Sequence, residues 1–433
     1  MFNFRSSEQT RSFMKDGIRY VCENFKNRSP GSESERNSQA YFKSELEKIA
    51  DVVTVEDFTV HPAAFMGFII IAVTLCLISV MLYWFIPFDG SISKAGEFVL
   101  VAVPPVLMLF SILMFLFEFL FYSQFVDFLF PKKTSRNVYA VRKPKGETKR
   151  RIVFGGHADA ANEWTFSLHG QIKTLAPVMF GSIAGMFVIF IITLARLFRS
   201  FSLGFVPVIS DGAWQKLGVL MLIFVPFIFC MYFFINWRVV VDGANDNLSA
   251  CYVSMGVLKE MADNDFRFDN TEVCCLITGS EEAGIRGAKA FAKRHQKEFT
   301  DIETVVITMD TMREIDQLQI YTQGCTGTVK DSEAVGDLLY EAGKANHVNM
   351  KRADIYPGAV DAEGFSKYGI KACGFCGVDH NPQTYYHTRK DTWTNINEEC
   401  INLSLDICLE SARLYDEKES IAYYESVRKK ANK

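Results

Sequence analysis

Four long apolar segments without charged side chains interrupt this chain and limit its possible folds more than any other feature. They are Ala63–Phe85, Phe98–Phe117, Thr174–Ala195 and Leu217–Trp237. A helix needs about 20 apolar residues to cross the hydrocarbon layer of a bilayer, and all four segments are long enough. Trp84 and Trp237 stand at segment ends, where aromatic side chains suit the membrane interface. The pattern predicts four transmembrane helices that form two hairpins, because a short loop joins the members of each pair.

The polar sequence surrounds these hairpins in three pieces, residues 1–62, 131–173 and 238–433, with the hairpins at 63–130 and 174–237. Short β-branched runs within it read as strands: "RIVFGGH", "TEVCCLITG" and "IETVVITMD". Helical patterns alternate with them: "SACYVSMGVLKEMADN", "RGAKAFAKRHQKEF" and "DSEAVGDLLYEAGKAN". This alternation predicts one discontinuous α/β domain, a three-layer α/β/α core around a mostly parallel mixed sheet.

Charge distribution predicts the topology and excludes one class of partner. The stretch Lys132–Arg151, directly after the second apolar segment, is strongly basic, whereas the hairpin loops carry few Lys or Arg residues. By the positive-inside rule we expect a multi-pass membrane protein whose polar domain lies on the cytoplasmic side of the bilayer. The net charge is −4, and no basic stripe or glycine-rich phosphate loop is found, so we expect no nucleic-acid partner.

The eleven cysteines are scattered, and the sequence contains one CxxC pair, Cys373 and Cys376 in "CGFC". Such a pair can be redox-active or form half of a zinc site. No second CxxC is present, and the flanking residues read as a strand. We therefore expect these two cysteines to be buried structural thiols.

Two adjacent glutamates, Glu281 and Glu282, follow the apolar run "VCCLI" with no neighbouring cation to neutralise them. One interpretation is the solvated first turn of a helix, where acidic side chains are favoured. The other is a buried strand whose end directs both carboxylates into one crevice, an arrangement suited to a cation.

Further metal-binding residue types follow the other predicted strands, where open α/β sheets place their sites. The candidate ligands are His157, Asp246, Glu282, Asp310 and His387. Asp159, two residues after His157, is placed to hold the other nitrogen of that imidazole ring. Two histidines and three carboxylates are too many for one tetrahedral zinc, but they suit two zinc ions if one carboxylate bridges them.

Seven segments in order carry a resemblance to a known family: "RSPGSESERNSQAYFKSELEKI", "GGHADA", "GANDNLSA", "GSEEAGIRGAKAF", "TMDTM", "DAEGFSKYGI" and "YYHTRKDT". Together they closely resemble the co-catalytic di-zinc aminopeptidases, a family that includes bacterial leucyl aminopeptidases, aminopeptidase Y and glutamate carboxypeptidase. The resemblance covers nearly all of the polar sequence and none of the four apolar segments.

The resemblance implies a role for each matching residue. His157 and Asp310 would hold one Zn²⁺, and Glu282 and His387 the other. Asp246 would bridge the two ions, with a cis peptide bond to Asn247. Asp159 would orient His157, Glu281 would be the general base, and Tyr386 would donate a hydrogen bond to the tetrahedral intermediate. Ala250 departs from the family, which usually has Gly there, and the hairpins leave the substrate preference open.

The sequence thus predicts a membrane-anchored di-zinc exopeptidase, with aminopeptidase activity as the first hypothesis. One alternative is hydrolysis of another amide, such as an N-acyl amino acid or an amphipathic substrate delivered from the bilayer. A second is a catalytically inactive scaffold or receptor on the same fold. A third, a transporter, is disfavoured because the apolar segments contain no ionisable path; Glu118 lies only at an end.

Overall fold

The computed structural model describes residues 2–87, 94–200, 211–324, 326–353, 358–379 and 384–431. The chain forms two compact units. The first comprises Met1–Pro62, Pro131–Glu163 and Trp237–Lys433, and the second comprises Ala63–Phe130 and Trp164–Asn236. The four apolar segments all lie in the second unit except for Trp237, the last residue of the fourth segment.

The strands alternate with helices along the chain, and most of them lie in the first unit. They are β1 (Val52–Val60), β2 (Lys133–Arg142), β3 (Arg150–His157), β4 (Asn162–Trp164), β5 (Ile235–Val240), β6 (Thr271–Thr278), β7 (Glu303–Met312), β8 (Leu318–Tyr321), β9 (Lys351–Ala353) and β10 (Lys371–Gly377). Among the described residues, eight of them form one sheet in the order β1-β2-β6-β3-β7-β10-β8-β9. The central strands β6, β3, β7 and β10 run parallel to one another. Strand β2 is antiparallel to both β6 and β1, and β8 is antiparallel to β10. The predicted mixed α/β fold is confirmed.

The helices complete the fold. They are α1 (Glu8–Asn24), α2 (Glu33–Leu46), α3 (Ala64–Phe85), α4 (Lys94–Met114), α5 (Thr165–Gly170), α6 (Ile172–Ser200), α7 (Asp211–Cys230), α8 (Ala250–Asp263), α9 (Arg286–Asp301), α10 (Glu333–Ala345), α11 (Asp361–Ser366), α12 (Glu398–Lys418) and α13 (Ala422–Ala431). The predicted helices in the polar sequence correspond to α8, α9 and α10. Ser32 caps α2, because its side chain accepts a hydrogen bond from the Glu35 N–H group.

Both faces of the central sheet are buried, which explains why its strands read as continuous apolar runs. Successive side chains of a strand point to opposite faces. In β3, Phe154 packs into one hydrophobic cluster with α1, α8 and α12, whereas Val153 packs into a second cluster with α9 and α11. Complete burial of a side chain such as Phe154 or Phe291 contributes roughly 1.5–3 kcal/mol to the free energy of unfolding.

The same alternation decides between the interpretations of the "CGFC" pair. Cys373 and Cys376 lie in β10, three positions apart, and pack into different clusters on opposite faces of the sheet. Both are buried free thiols. They cannot meet in a redox pair or ligate one metal, and the prediction of buried structural thiols is confirmed.

The second unit is a bundle of the four long apolar helices α3, α4, α6 and α7. Its core includes Cys76, Met108, Ile189 and Met221, one from each helix. All four helices are long and apolar enough to span a membrane. The buried guanidinium of Arg196, near the end of α6, donates hydrogen bonds to the carbonyl groups of Tyr83 and Ile86 and so satisfies the carboxyl end of α3.

Candidate metal centre

The predicted ligands converge at the carboxyl edge of the parallel strands. His157 is the last residue of β3, and Asp310 lies near the end of β7. Glu282 follows β6, His387 lies in the loop between β10 and α12, and Asp246 lies in the turn before α8. Parallel neighbours bring their carboxyl ends to one crevice, so residues distant in sequence become neighbours there.

The loop that carries the two glutamates is compact and not helical. The Ile285 N–H group bonds to the Glu281 carbonyl at 2.7 Å, and α9 begins only at Arg286. A side chain on Gly287 would place its Cβ 2.3 Å from the Gly279 carbonyl oxygen, so the closure of this loop requires glycine. The helix-start interpretation of Glu281 and Glu282 is therefore wrong.

Two groups of three potential ligands share Asp246. In the first, His157, Asp246 and Asp310 offer atoms that lie within 4.8 Å of one another, and in the second Asp246, Glu282 and His387 do so. Asp246 uses its two oxygens separately: Oδ1 is 3.2 Å from His157 Nε2, and Oδ2 is 3.0 Å from His387 Nε2. A carboxylate that presents one oxygen to each group has the geometry of a bridging ligand.

Unsatisfied polar atoms support a cation site. His157 Nε2 and Glu282 Oε1 are buried without a hydrogen bond of good geometry among the described residues. Buried polar groups are rarely left without a partner, because no hydrogen bond then compensates for the free energy lost on removing them from water. Imidazole nitrogen and carboxylate oxygen are the donors that zinc accepts. The residues present therefore fit two zinc ions.

The electrostatics of the site agree with this fit. Burial raises the pKa of Asp310 to about 7, with the neighbouring Asp246 carboxylate adding to the rise. Burial also raises the pKa of Glu282, although His387 opposes this effect. Burial alone would lower the pKa of His387, but the carboxylates of Glu282 and Asp246 raise it to about 10. Without a cation, Glu282 and Asp310 thus resist ionisation, whereas hydrogen bonds from His157 and His387 lower the pKa of Asp246 against the effect of its burial.

A third possible group joins His157 to both glutamates, but the two groups centred on Asp246 account for both histidines without using Glu281. Glu281 Oε2 lies 3.7 Å from His157 Nε2. Burial raises the pKa of Glu281 well above its usual range, against the influence of His157. This carboxylate is close to the predicted ligands and is not needed to complete either of the two groups that share Asp246.

Asp159 has a broader structural role than its predicted one. Its carboxylate accepts hydrogen bonds from the backbone N–H groups of Glu281 and Glu282, both at 3.0 Å, and its Oδ1 is 3.5 Å from His157 Nδ1. The Asp159 backbone carbonyl is closer to that nitrogen, at 3.2 Å. Asp159 therefore fixes the glutamate loop and the imidazole together.

Tyr386 lies beside the ligands as predicted. Its ring stacks on the His387 ring with centroids 4.0 Å apart and planes 15° apart. Burial raises the pKa of its hydroxyl group well above the usual value, and the carboxylates of Asp246 and Asp310 add to this effect. The phenol therefore stays protonated and can act as a hydrogen-bond donor.

Asp246 is held by neighbours whose roles the sequence did not reveal. The Asp246–Asn247 peptide bond is cis, as the resemblance implies. The Asn247 side chain donates to the Met309 carbonyl and accepts from the Thr311 N–H group, on either side of Asp310. Asp391 accepts hydrogen bonds from the N–H groups of Asn245 and Asp246, at 2.8 and 3.0 Å. Its position in "HTRKDT", after His387, is the one sequence signal for it.

Comparisons with solved structures find the same fold in several proteins. Solved structures with the same fold include an aminopeptidase from Aneurinibacillus sp. strain AM-1 (TM-score 0.53, 15% identity, 95% of this chain and 94% of that chain). They also include the zinc aminopeptidase BSAP from Bacillus subtilis (TM-score 0.54, 12% identity, 96% of each chain) and a glutaminyl cyclase from an Acidobacteriales bacterium (TM-score 0.51, 13% identity, 95% and 97%). No curated protein sequence matches the chain significantly.

The fold is shared with solved aminopeptidase structures, and the site offers the donors that zinc accepts. Residues 233–412 match the model of peptidase family M28. This range contains Asp246, Glu282, Asp310 and His387, whereas His157 lies before it.

Proposed function

We propose that the protein is a membrane-anchored aminopeptidase with two zinc ions. His157 and Asp310 would hold one ion, Glu282 and His387 would hold the other, and Asp246 would be shared between them. The observation that carries this proposal is the division of the Asp246 oxygens between the two histidines, at 3.2 and 3.0 Å. A site for a single ion would not require one carboxylate to serve two ligand groups.

The residues of the chain then have distinct tasks in peptide hydrolysis. Bound zinc supplies an acidified water and polarises the scissile carbonyl group. Glu281 accepts the proton of the attacking water and returns it to the nitrogen of the leaving amine. The Tyr386 hydroxyl donates a hydrogen bond to the oxygen on which negative charge develops. Asp159 holds the glutamate backbone so that Glu281 stays near the attacking water.

The membrane anchor rests on the second unit. Its helices present large apolar side chains to the surroundings, including Val106, Ile191 and Ile223, which are 61%, 62% and 59% exposed. A soluble protein rarely exposes so many apolar side chains on one bundle, whereas lipid would cover them. We propose that the bundle is embedded in the bilayer.

Two other activities remain as alternatives on the same ligands. Hydrolysis of N-acyl amino acids or of amphipathic amides needs the same water and base. Glutaminyl cyclisation is an alternative only because a glutaminyl cyclase has a similar fold. The complete set of candidate ligands for two ions disfavours this activity. An inactive scaffold is disfavoured because none of the expected ligands is missing.

One assay separates these possibilities. The purified protein, in detergent or liposomes, is given aminoacyl fluorogenic substrates, N-acyl amino acids and N-terminal glutaminyl peptides, each with and without a chelator. We expect chelator-sensitive release of N-terminal residues and about two zinc ions per chain by elemental analysis. Cyclisation without hydrolysis would contradict the proposal, as would a protein that contains no zinc and cleaves nothing.

A further inference from the structure

A buried arginine, Arg28, joins the two chain segments that carry His157 and Asp246. Arg28 lies in the loop between α1 and α2 and is 1% exposed. Its Nε atom donates to the Ala158 carbonyl at 3.0 Å, and its Nη2 atom donates to the Asp242 carbonyl at 2.7 Å. The Arg28 carbonyl in turn accepts from the Ala160 N–H group at 2.9 Å.

The charge of this guanidinium has no carboxylate partner within salt-bridge distance among the described residues. Its third hydrogen bond, from Nη1, goes to the Phe25 carbonyl at 3.1 Å. A buried charge is costly, and here only backbone carbonyl groups compensate for it. Such an arrangement is expensive as a stabilising device, so its geometry suggests a different reason for its presence.

The two carbonyl groups that Arg28 holds are close to metal ligands in the chain. Ala158 lies between His157 and Asp159, and Asp242 precedes Asp246 by one short turn. That turn passes through Gly243, whose φ is +60° and whose Cβ, if present, would lie 3.3 Å from Arg28 Nη2 and 2.6 Å from the Asp246 carbonyl oxygen. The guanidinium is therefore packed directly against the turn that delivers the bridging ligand.

We propose that Arg28 is a positioning residue that sets the separation of His157 from Asp246. The proposal rests on the two-zinc centre proposed above. Arg28 acts on two of the three ligands of the His157–Asp246–Asp310 site. At the Asp246–Glu282–His387 site it acts directly on Asp246 alone, and it reaches Glu282 only through Asp159, whose carboxylate accepts from the Glu282 N–H group. Loss of Arg28 therefore weakens the first site more than the second.

The rigid fork of arginine explains why lysine cannot replace it. Guanidinium donors point in fixed, divergent directions and can hold two separate carbonyl groups, whereas an ammonium group is a single point of charge. Arg28→Lys keeps the charge and loses the fork. Residues that orient metal ligands typically change metal affinity by about 10- to 100-fold when replaced.

The test measures zinc affinity separately at each site in the full-length protein. Glu282→Gln weakens the second site and leaves the first for measurement, and Asp310→Asn does the reverse. Adding Arg28→Lys should raise the zinc dissociation constant roughly 10- to 100-fold in the Glu282→Gln background and less than about 3-fold in the Asp310→Asn background. Competition with a chromogenic chelator provides the readout, so enzymatic activity is not needed.

Arg142→Lys is the matched control. Arg142 is also buried, and it donates to the carbonyl groups of Phe266 and Met261, which lie away from the metal ligands. This variant should lower the melting temperature without changing either zinc affinity. Equal changes at both sites with Arg28→Lys, or no change at either, would overturn the inference while leaving the two-zinc proposal intact. Failure of the wild-type protein to bind two zinc ions would instead overturn the proposed function.

Discussion

At the scale of single residues, the neighbouring glutamates differ in task because they differ in position. Glu282 Oε1 is 3.1 Å from His387 Nε2, within the group that shares Asp246. Glu281 points toward His157 from 3.7 Å and is not needed to complete either group. The peptide N–H groups of both residues are held by one carboxylate, that of Asp159, so the pair moves as one unit.

Replacement of each glutamate by glutamine should therefore give different results. Glu281→Gln keeps size and hydrogen bonding but removes the proton acceptor, so kcat should fall by about 10²- to 10⁴-fold with normal zinc content. Glu282→Gln should lower both zinc content and activity. Elemental analysis and steady-state kinetics on the same samples measure both effects, with the exposed Glu399→Gln as control. Full turnover by Glu281→Gln would refute its role as the base.

At the scale of elements, the site depends on contacts between loops that are far apart in sequence. Asp391 ties the His387 loop to the Asp246 turn, and Asn247 ties that turn to β7. The strands and helices near the site could be predicted from apolar periodicity, because burial on both faces of the sheet leaves that pattern in the sequence. Arg28, Asn247 and Asp391 could not be assigned, because their partners are backbone groups that leave no mark in side-chain patterns.

Asp391→Asn should disturb the bridging ligand without removing any ligand. An amide offers one acceptor oxygen, so it cannot accept from both the Asn245 and the Asp246 N–H groups through separate oxygens as the carboxylate does. Zinc affinity should fall by about 10- to 100-fold. The control is Asp416→Asn, because Asp416 accepts from Thr271 at the opposite end of β6. Unchanged zinc binding in Asp391→Asn would show that the Asp246 turn holds its shape alone.

At the scale of the whole molecule, the metal centre should also stabilise the first unit. The carboxylates of Asp246, Glu282 and Asp310 crowd one buried crevice, and bound cations would relieve their repulsion. A ligand present at a thousand times its dissociation constant adds about 4 kcal/mol to the free energy of unfolding. Chelation should thus lower the melting temperature of the wild-type protein. The melting temperature of Asp246→Ala, which lacks the shared carboxylate, should change little when chelator is added. An equal decrease in the wild-type protein and in Asp246→Ala would show that the chelator acts at a site other than this metal centre.

The membrane orientation rests on fewer charges than the sequence suggested. Within the basic stretch Lys132–Arg151, Arg142 and Arg151 are buried, and Arg151 pairs with Glu272, so neither can meet lipid headgroups. Lys132, Lys133 and Lys143 are exposed. Each basic residue near an anionic surface contributes about 1 kcal/mol, so we keep the cytoplasmic side as a proposal that rests on the exposed lysines of this stretch.

Cysteine labelling in intact cells tests that orientation. Lys143→Cys places a thiol on the exposed surface of the first unit, and Ser91→Cys places one in the loop of the first hairpin, outside the described residues. A membrane-impermeant maleimide should label Ser91→Cys in intact cells and Lys143→Cys only after lysis. The unsubstituted chain is the control, since the described native thiols are largely buried. Because both hairpins return the chain to the side from which it entered, the reverse pattern would move all five ligands and Glu281 across the bilayer together. That result would correct the compartment and leave the chemistry of the site unchanged.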